Sequence, residues 1–211
     1  MIVQDWGETD YPKALKRQFD LVELVSHDPA LETLVFCSHE PIVTLGRATK
    51  PGDVFAWKGP VLEVNRGGRA TYHGPSQIVV YPILDLDRRG RDLHKFMRNL
   101  EDAMVGTLKD FGIEAQGHTP QVQVGTDEAV EATGAWVGNQ KIASIGIGVR
   151  KWVSFHGLAL NVDHDPKAFL GFHPCGFTSE TMTSMERVLK SRPDREAVKE
   201  SLRARLLETL G

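Results

Sequence analysis

The spacing of apolar residues argues for an α+β fold, a mixed sheet flanked by helices. Helical periods of three and four recur in three separate stretches, beginning at Tyr11, Leu93 and Ser191. Between them, short branched-chain runs fall next to one another instead of alternating strictly with helices, which argues against a doubly wound parallel sheet. The third observation is a long meander, Gly134 to Val162, in which glycine punctuates strand-like runs.

Taken in chain order, Tyr11, Leu15, Gln18, Val22 and Val25 line one face of a first helix, with Asp10 before it as a cap. Thr33 to Ser38 and Pro41 to Leu45 read as neighbouring strands, and Val61 to Asn65 as a further short strand. Cys37, inside the first of these, reads as a buried packing thiol. The run Arg66 to Pro82, RGGRATYHGPSQIVVYP, begins as a glycine-rich loop and ends in a strand, Ile78 to Tyr81. Leu93, Phe96, Leu100, Met104, Leu108 and Phe111 then form the clearest helix, behind Asp92. Gly112 to Thr133 is polar and irregular and reads as a mobile loop near the site. In the meander, Ala135-Trp136-Val137 is a strand, Gly138-Asn139-Gln140 a turn, and Lys141 to Val149 and Trp152 to Val162 two longer strands. Asp165-Pro166 starts a helical turn, Gly171 to Thr183 is a loop, and Ser191 to Leu210 is a closing helix with Pro193 near its start.

Composition narrows the function classes. A chain of 211 residues with 41% apolar content is expected to form one domain, 1–211, around one sizeable core. Its net charge of -3 offers no basic field for nucleic acid and no polybasic membrane anchor. Without a membrane-length apolar run or a signal-like amino terminus, the expected compartment is the cytoplasm. Two distant cysteines, Cys37 and Cys175, read as reduced thiols. No spacing among the histidines and cysteines matches a metal set, and there is no G-x-x-x-x-G-K-[ST] phosphate loop.

Several groups can carry chemistry. In the run from Arg66, Gly67 and Gly68 let backbone approach a bound group while Arg66 and Arg69 can supply cationic donors; the alternative is a surface turn with solvated arginines. Along the strand from Lys141, Ser144, Gly146 and Gly148 make one face nearly bare, leaving either a groove for an apolar ligand or a face packed on another backbone. Cys175, between Pro174 and Gly176 in a sparsely apolar loop, is either an exposed reactive thiol or a passive one. Lys141 is either a solvated hairpin end or, near Cys175, a group that favours the thiolate and accepts a proton. His73 and His156, each before a glycine, can orient a ligand carbonyl or act as acid and base.

Read together, TLGR from Thr44, RGGRATYHGPSQ from Arg66, YP at Tyr81, TGAWV from Thr133, KIASIG from Lys141, HGLALNV from His156, PCG from Pro174 and TSM from Thr183 resemble the lipoate-protein ligase B family of octanoyl-acyl-carrier-protein:protein octanoyltransferases. The resemblance spans nearly the whole chain. It implies a single α+β domain of the biotin/lipoate-protein ligase, class II synthetase-like, catalytic fold. It implies further an acyltransferase that needs no cofactor, with Cys175 as acyl-thioester nucleophile and Lys141 as the residue that lowers its pKa. Arg66, Gly67, Gly68, Arg69, Ala70, Thr71, Tyr72, His73, Ser144, Ile145, Gly146, Gly157, Leu158 and Ala159 would line the octanoyl site. The donor would be octanoyl-acyl carrier protein, and the acceptors the lipoyl domains of 2-oxoacid dehydrogenases and the glycine cleavage H protein.

On this reading a carrier thioester is exchanged for one on Cys175, and a lipoyl-domain lysine then takes the acyl group as an amide, with backbone amides near Cys175 holding the oxyanion. Two residues depart from the family pattern, Ser76 where glycine is usual and His173 where an apolar residue precedes Pro174, and Ser76 bears on chain-length preference. The rival readings are an ATP-dependent ligase of the same fold, for which Cys175 is dispensable, and a non-catalytic acyl-carrier-binding module.

Overall fold

The computed structural model describes residues 1–117 and 133–211. Most of the expected polar loop from Gly112 to Thr133 therefore lies outside the described residues. The strands are β1 (Ile2–Thr9), β2 (Thr33–His39), β3 (Ile42–Leu45), β4 (Val61–Glu63), β5 (Thr71–His73), β6 (Gln77–Ile83), β7 (Gln116–Gly117), β8 (Gly134–Val137), β9 (Gln140–Arg150) and β10 (Val153–Asn161). The α-helices are α1 (Tyr11–His27), α2 (Leu93–Asp110), α3 (Met185–Leu189) and α4 (Arg195–Leu210).

Seven strands form one mixed sheet in the order β1-β2-β6-β10-β9-β8-β7, and β4-β3-β5 form a second, smaller sheet. The β1–β2 pair is parallel while the rest of the large sheet is antiparallel. A parallel pair needs a crossover, and α1 supplies it. The expected mixed sheet flanked by helices is what forms.

Each helix begins where a side chain can take its first free amides. The Asp10 carboxylate accepts from Lys13 N at 3.0 Å, the Asp92 carboxylate from Lys95 N at 2.8 Å, and that of Asp194 from Glu196 N and Ala197 N. The last helix thus starts at Arg195, after Pro193, because Asp194 is the better cap. The stripe of Phe96, Leu100, Met104 and Leu108 in α2 and that of Val198, Leu202, Leu206 and Leu210 in α4 pack on one face of the sheet, against Leu34, Ile78, Val80, Leu158 and Leu160. Ala14, Val22 and Val25 of α1 pack on the other, against Val35, Val79, Tyr81 and Ala159. Each such side chain contributes about 1.5–3 kcal/mol of burial.

Four elements were not expected, one of them β7, which pairs with β8 inside the stretch read as irregular. β1 is an edge strand, and much of its sequence, including Asp5 and Glu8, faces outward, so alternation is weak there. β5 lies inside the glycine-rich run, where Tyr72 is buried against Ala168, Phe172 and Trp57 and draws the backbone beside β3. α3 is a single short turn of helix capped by Ser184.

β10 carries an irregularity that matters below. His156 has φ 57, a left-handed conformation rare for a residue with a Cβ. At the next position, an added Cβ on Gly157 would overlap the Val80 carbonyl oxygen and the Pro82 ring. Gly157→Ala should therefore destabilise the fold by about 3 kcal/mol, from overpacking in a sheet centre. Thermal unfolding should show a midpoint lower by roughly 6–12 °C for a chain of this size; an unchanged midpoint would refute the packing argument.

Candidate active site

A slot opens between the large sheet, the end of α1 and the loops that carry the small sheet. Its lining is Tyr11, Arg66, Gly68, Arg69, Thr71, His73, Val79, Tyr81, Lys141, Ser144, Ile145, Gly146, His156, Gly157, Leu158, Ala159 and Cys175, and it encloses about 510 Å³ including its open mouth. The sheet register explains the floor. Ser144 pairs with Ala159 and Gly146 with Gly157, so small residues lie side by side across β9 and β10. The bare face expected on β9 is only partly a groove. Ser144 turns toward Cys175, whereas Gly146 is covered by the Arg66 side chain and Gly67, and Gly148 by Asn65 and Phe155.

Three residues expected in the lining serve the walls instead. Ala70 and Tyr72 are buried with Val43 and Phe172, the Tyr72 hydroxyl donating to Asp165 at 3.3 Å. Gly67 ties its loop to β9 by donating N–H to Ile147 O at 2.9 Å. Conversely, Tyr11, Val79 and Tyr81 line the slot although the sequence pointed only to core roles for them. Alternation in β6 carried a signal, since Val79 and Tyr81 lie on the strand face that opposes Ala159 and Gly157.

The two arginines are not free donors for a ligand. Arg66 is only 5% exposed, and its fork is consumed within the protein. Nη2 donates to Thr44 O at 2.7 Å and to Thr44 Oγ1 at 2.8 Å, Nε to Thr44 Oγ1 at 3.3 Å, and Nη1 to Gly67 O at 2.9 Å and Arg69 O at 2.8 Å. All these acceptors are neutral, so Arg66 brings an unneutralised cation to the slot, and the Cys175 and Tyr11 side chains lie within its electrostatic reach. Burial lowers the pKa of Arg66 from its ordinary value. Arg69 pairs with Asp53, Nε to Oδ2 at 2.9 Å. Burial raises the Asp53 carboxyl, but the Arg69 hydrogen bond outweighs it in combination with the Lys50 amide, and the net shift is downward.

Cys175 occupies the turn Pro174–Gly176 with φ 53, and its N–H donates to Ala70 O at 2.7 Å. The glycine-rich loop thus positions the cysteine directly. Its sulfur lies 3.7 Å from Ser144 Oγ and 4.0 Å from Thr71 Oγ1. The amides around it are all engaged: Gly176 N donates to His173 O at 3.1 Å and Phe177 N to Pro174 O at 2.9 Å. The expected oxyanion site built from these amides is therefore corrected. Hydroxyls, not amides, stand next to the sulfur.

Lys141 is not a solvated hairpin end. It is 1% exposed, at the start of β9, where its carbonyl accepts from Thr183 N at 2.9 Å. Its Nζ lies 5.4 Å from the Trp136 ring centroid and 5.7 Å from that of Phe177. Lys141 and Cys175, far apart in sequence, line one slot. Ser76 does not. Its carbonyl accepts from Val162 N at 3.1 Å and Asp163 N at 3.0 Å, and it lines a separate groove with Asn161 and Asp163, so it does not narrow the slot. The His173 ring packs tilted against Phe55 with centroids 5.1 Å apart, and its backbone N–H donates to Asp53 O at 2.7 Å.

Behind the slot stand three imidazoles. His156 Nδ1 is 3.1 Å from the Tyr11 hydroxyl, and His39 Nε2 is 2.6 Å from the Tyr81 hydroxyl while its Nδ1 donates to Thr9 O at 2.8 Å. Tyr11 stacks on His73 with centroids 5.2 Å apart. Burial pushes His39 down to about 4 and His156 down to about 3, and drives His73 well below its ordinary range with help from the neighbouring His39 and Arg66 charges. His73 and His156 are thus neutral at physiological pH, which corrects the expectation that either acts as an acid.

Two outcomes follow. Replacing the fork by a point charge in Arg66→Lys forfeits bonds that lysine cannot reproduce, and equilibrium unfolding should register a loss of about 3 kcal/mol. Second, the unfolded chain binds protons at the histidines near pH 6.5 while the folded chain does not. Their stabilisation is complete above that pH and is lost as pH falls toward 4 and 3, at up to about 1.4 kcal/mol per pH unit for each imidazole. Denaturant melts between pH 7 and pH 4 test this, and a flat profile contradicts it.

A family profile described as Lipoyl protein ligase A/B catalytic domain matches residues 10–207. The octanoyltransferase of Bdellovibrio bacteriovorus is 51% identical over 100% of this chain and 99% of its own length. Among solved structures, a lipoate-protein ligase A bound with ATP superposes with TM-score 0.70 at 19% identity, over 100% of this chain and 86% of its own. A biotin protein ligase from Aquifex aeolicus does so with TM-score 0.56 at 12% identity, over 100% and 68%. The fold is thus that of lipoate and biotin protein ligases, as the sequence resemblance implied. With a full-length relative at that identity and the family profile over nearly the whole chain, the chain belongs to the lipoyl protein ligase A/B catalytic domain family, and its chemistry is octanoyl transfer in protein lipoylation.

Proposed function

We propose that residues 1–211 act as one catalytic domain that carries the octanoyl group as a thioester on Cys175, taking it from octanoyl-acyl carrier protein and passing it to a lysine ε-amine on a lipoyl domain. The observation that supports this reading is that Cys175 and Lys141 share one slot floored by glycine, alanine and serine. The Cys175 thiolate attacks the donor's thioester carbonyl, and the carrier's thiolate leaves with the electron pair. An acceptor amine then attacks acyl-Cys175, the cysteine thiolate leaves, and an amide remains. Both steps balance without a nucleotide.

The side chains divide the work. A Lys141 ammonium stabilises the thiolate by charge, and its amine form accepts the proton that the incoming lysine must lose. The Arg66 cation adds to the same field. With the loop amides engaged, the Ser144 and Thr71 hydroxyls are the donors placed for the oxyanion. The tail lies along the small residues Gly157 and Ala159, gaining about 0.8 kcal/mol per buried methylene. The acceptors are the lipoyl domains of 2-oxoacid dehydrogenases and the glycine cleavage H protein, and the compartment is the cytoplasm; among the described residues no helix is long and apolar enough to cross a membrane.

Intact-mass spectrometry after mixing with octanoyl-carrier should show one octanoyl adduct that maps to Cys175 and disappears when a lipoyl domain is added. Cys175→Ser should lower transfer by on the order of 10³-fold or more. Lys141→Ala should lower it by about 10²–10⁴-fold, with part of the loss recovered as pH rises and the thiol ionises unaided. Turnover of free octanoate with ATP that survives Cys175→Ser would replace this reading with the adenylate mechanism. Tight carrier binding with no adduct would leave a binding module.

A further inference from the structure

We propose that the imidazoles of His156 and His73, with Tyr11 stacked against both, form the end wall of the acyl slot and set the longest chain that Cys175 accepts. The proposal rests on the acyl-enzyme reading above. Two strands locate the wall independently. On the large sheet, the sulfur lies 3.7 Å from Ser144 Oγ, which marks the level of the Ser144 and Ala159 pair. His156 pairs with Ile147, at a register three positions further on, or roughly 10 Å at the rise of a strand. On the small sheet, Thr71 Oγ1 is 4.0 Å from the sulfur and His73 follows two positions later, roughly 7 Å along β5 before its ring extends further. An extended carbon chain with bonds of about 1.5 Å at near-tetrahedral angles advances roughly 1.25 Å per bond, so eight carbons span roughly 9 Å. By strand rise, the wall residues lie roughly 7–10 Å along from the level of the cysteine, which is about the length of one octanoyl group.

The wall is built to stay in place. His156 holds φ 57, and its N–H donates to the buried Gln18 Oε1 at 2.7 Å, while Nδ1 meets the Tyr11 hydroxyl at 3.1 Å. Both partners belong to α1, so the helix braces the ring from two of its turns. Tyr11 stacks on His73 at 5.2 Å and on His156 at 6.5 Å. His156 is 1% exposed and Tyr11 2%, so both rings are held within the packed interior. The wall is also polar. Among the described residues, the buried His156 Nε2 and His73 Nδ1 have no hydrogen-bond partner, so a ninth or tenth carbon would press methylenes onto groups that want hydrogen bonds.

Single-turnover acylation by pantetheine thioesters of six, eight, ten and twelve carbons, read by intact mass at Cys175, tests the wall. His156→Gly removes the ring and suits the left-handed backbone. If the opened space buries two more methylenes, at about fourfold each, the preference for ten over eight carbons should rise by about 15-fold relative to the unaltered protein. Ser76→Gly, outside the slot, should leave the length profile alone. A folded His156→Gly with the unaltered profile overturns the proposal. Should that variant fail to fold, His156→Asn, which is shorter and tolerates the same backbone, must shift the preference in the same direction, and an unshifted profile overturns it equally. If the unaltered protein is acylated by none of the thioesters, it is the acyl-enzyme reading that fails; acylation of Cys175 with an unshifted profile condemns the wall alone.

Discussion

The site depends on one buried guanidinium. Arg66 sits where the glycine-rich loop, β3 and β9 meet, and its fork ties Thr44 on β3 to two carbonyls of its own loop. Those bonds shape the loop so that Ala70 O points at the Cys175 amide. The same side chain covers Gly146, where an added Cβ would lie 3.0 Å from Arg66 Cδ and would push the arginine by a few tenths of an ångström. A buried charge without a carboxylate partner is costly unless its donors are satisfied, and here five contacts to neutral oxygens satisfy them. Because no carboxylate among the described residues pairs with it, Arg66 remains available as a field for negative charge in the slot. A neutralising partner would have made the loop as firm and the slot less useful for a thiolate.

The cysteine's backbone follows from that arrangement. A residue with a Cβ at φ 53 is strained, and the strain persists because Ala70 O and the Pro174–Phe177 turn hold both sides of it. The turn uses its own amides to hold the cysteine, so they are not open toward the slot. The groups that stand next to the sulfur are the side-chain hydroxyls of Ser144 and Thr71, which come from two different sheets.

Much of this was legible in residue patterns. The helices with clear apolar stripes, the hairpin at Gly138 and the small-residue floor of β9 and β10 all carry periodic signals that survive without coordinates. That Cys175 and Lys141 line one slot was signalled by motif resemblance alone, since nothing local distinguishes a buried Lys141 from a solvated one. What escaped was tertiary in origin. β5 forms because Tyr72 finds apolar cover contributed by Trp57 and Phe172, distant in sequence. Arg66 and Arg69 looked like ligand donors because a sequence does not reveal that Thr44 and Asp53 consume their hydrogen bonds. Ser76 looked relevant to chain length because it departs from the family's glycine, while the chain turns away after Gly74 and takes it to another groove.

The histidines behind the slot show how an acyl site can be both greasy and bounded. An apolar end would reward each extra methylene with burial and so would favour longer chains; a charged end would draw water down the slot and weaken the tail's binding. Neutral imidazoles avoid both. Burial keeps His156 and His73 uncharged, so they admit an apolar tail alongside them, yet their unpartnered nitrogens give no welcome to carbon pressed end-on. The left-handed backbone at His156 is the cost of turning that ring inward from the centre of a fully buried strand. A glycine there would relieve the strain and lose the boundary, so the persistence of a strained histidine is best understood as a trade of stability for length discrimination.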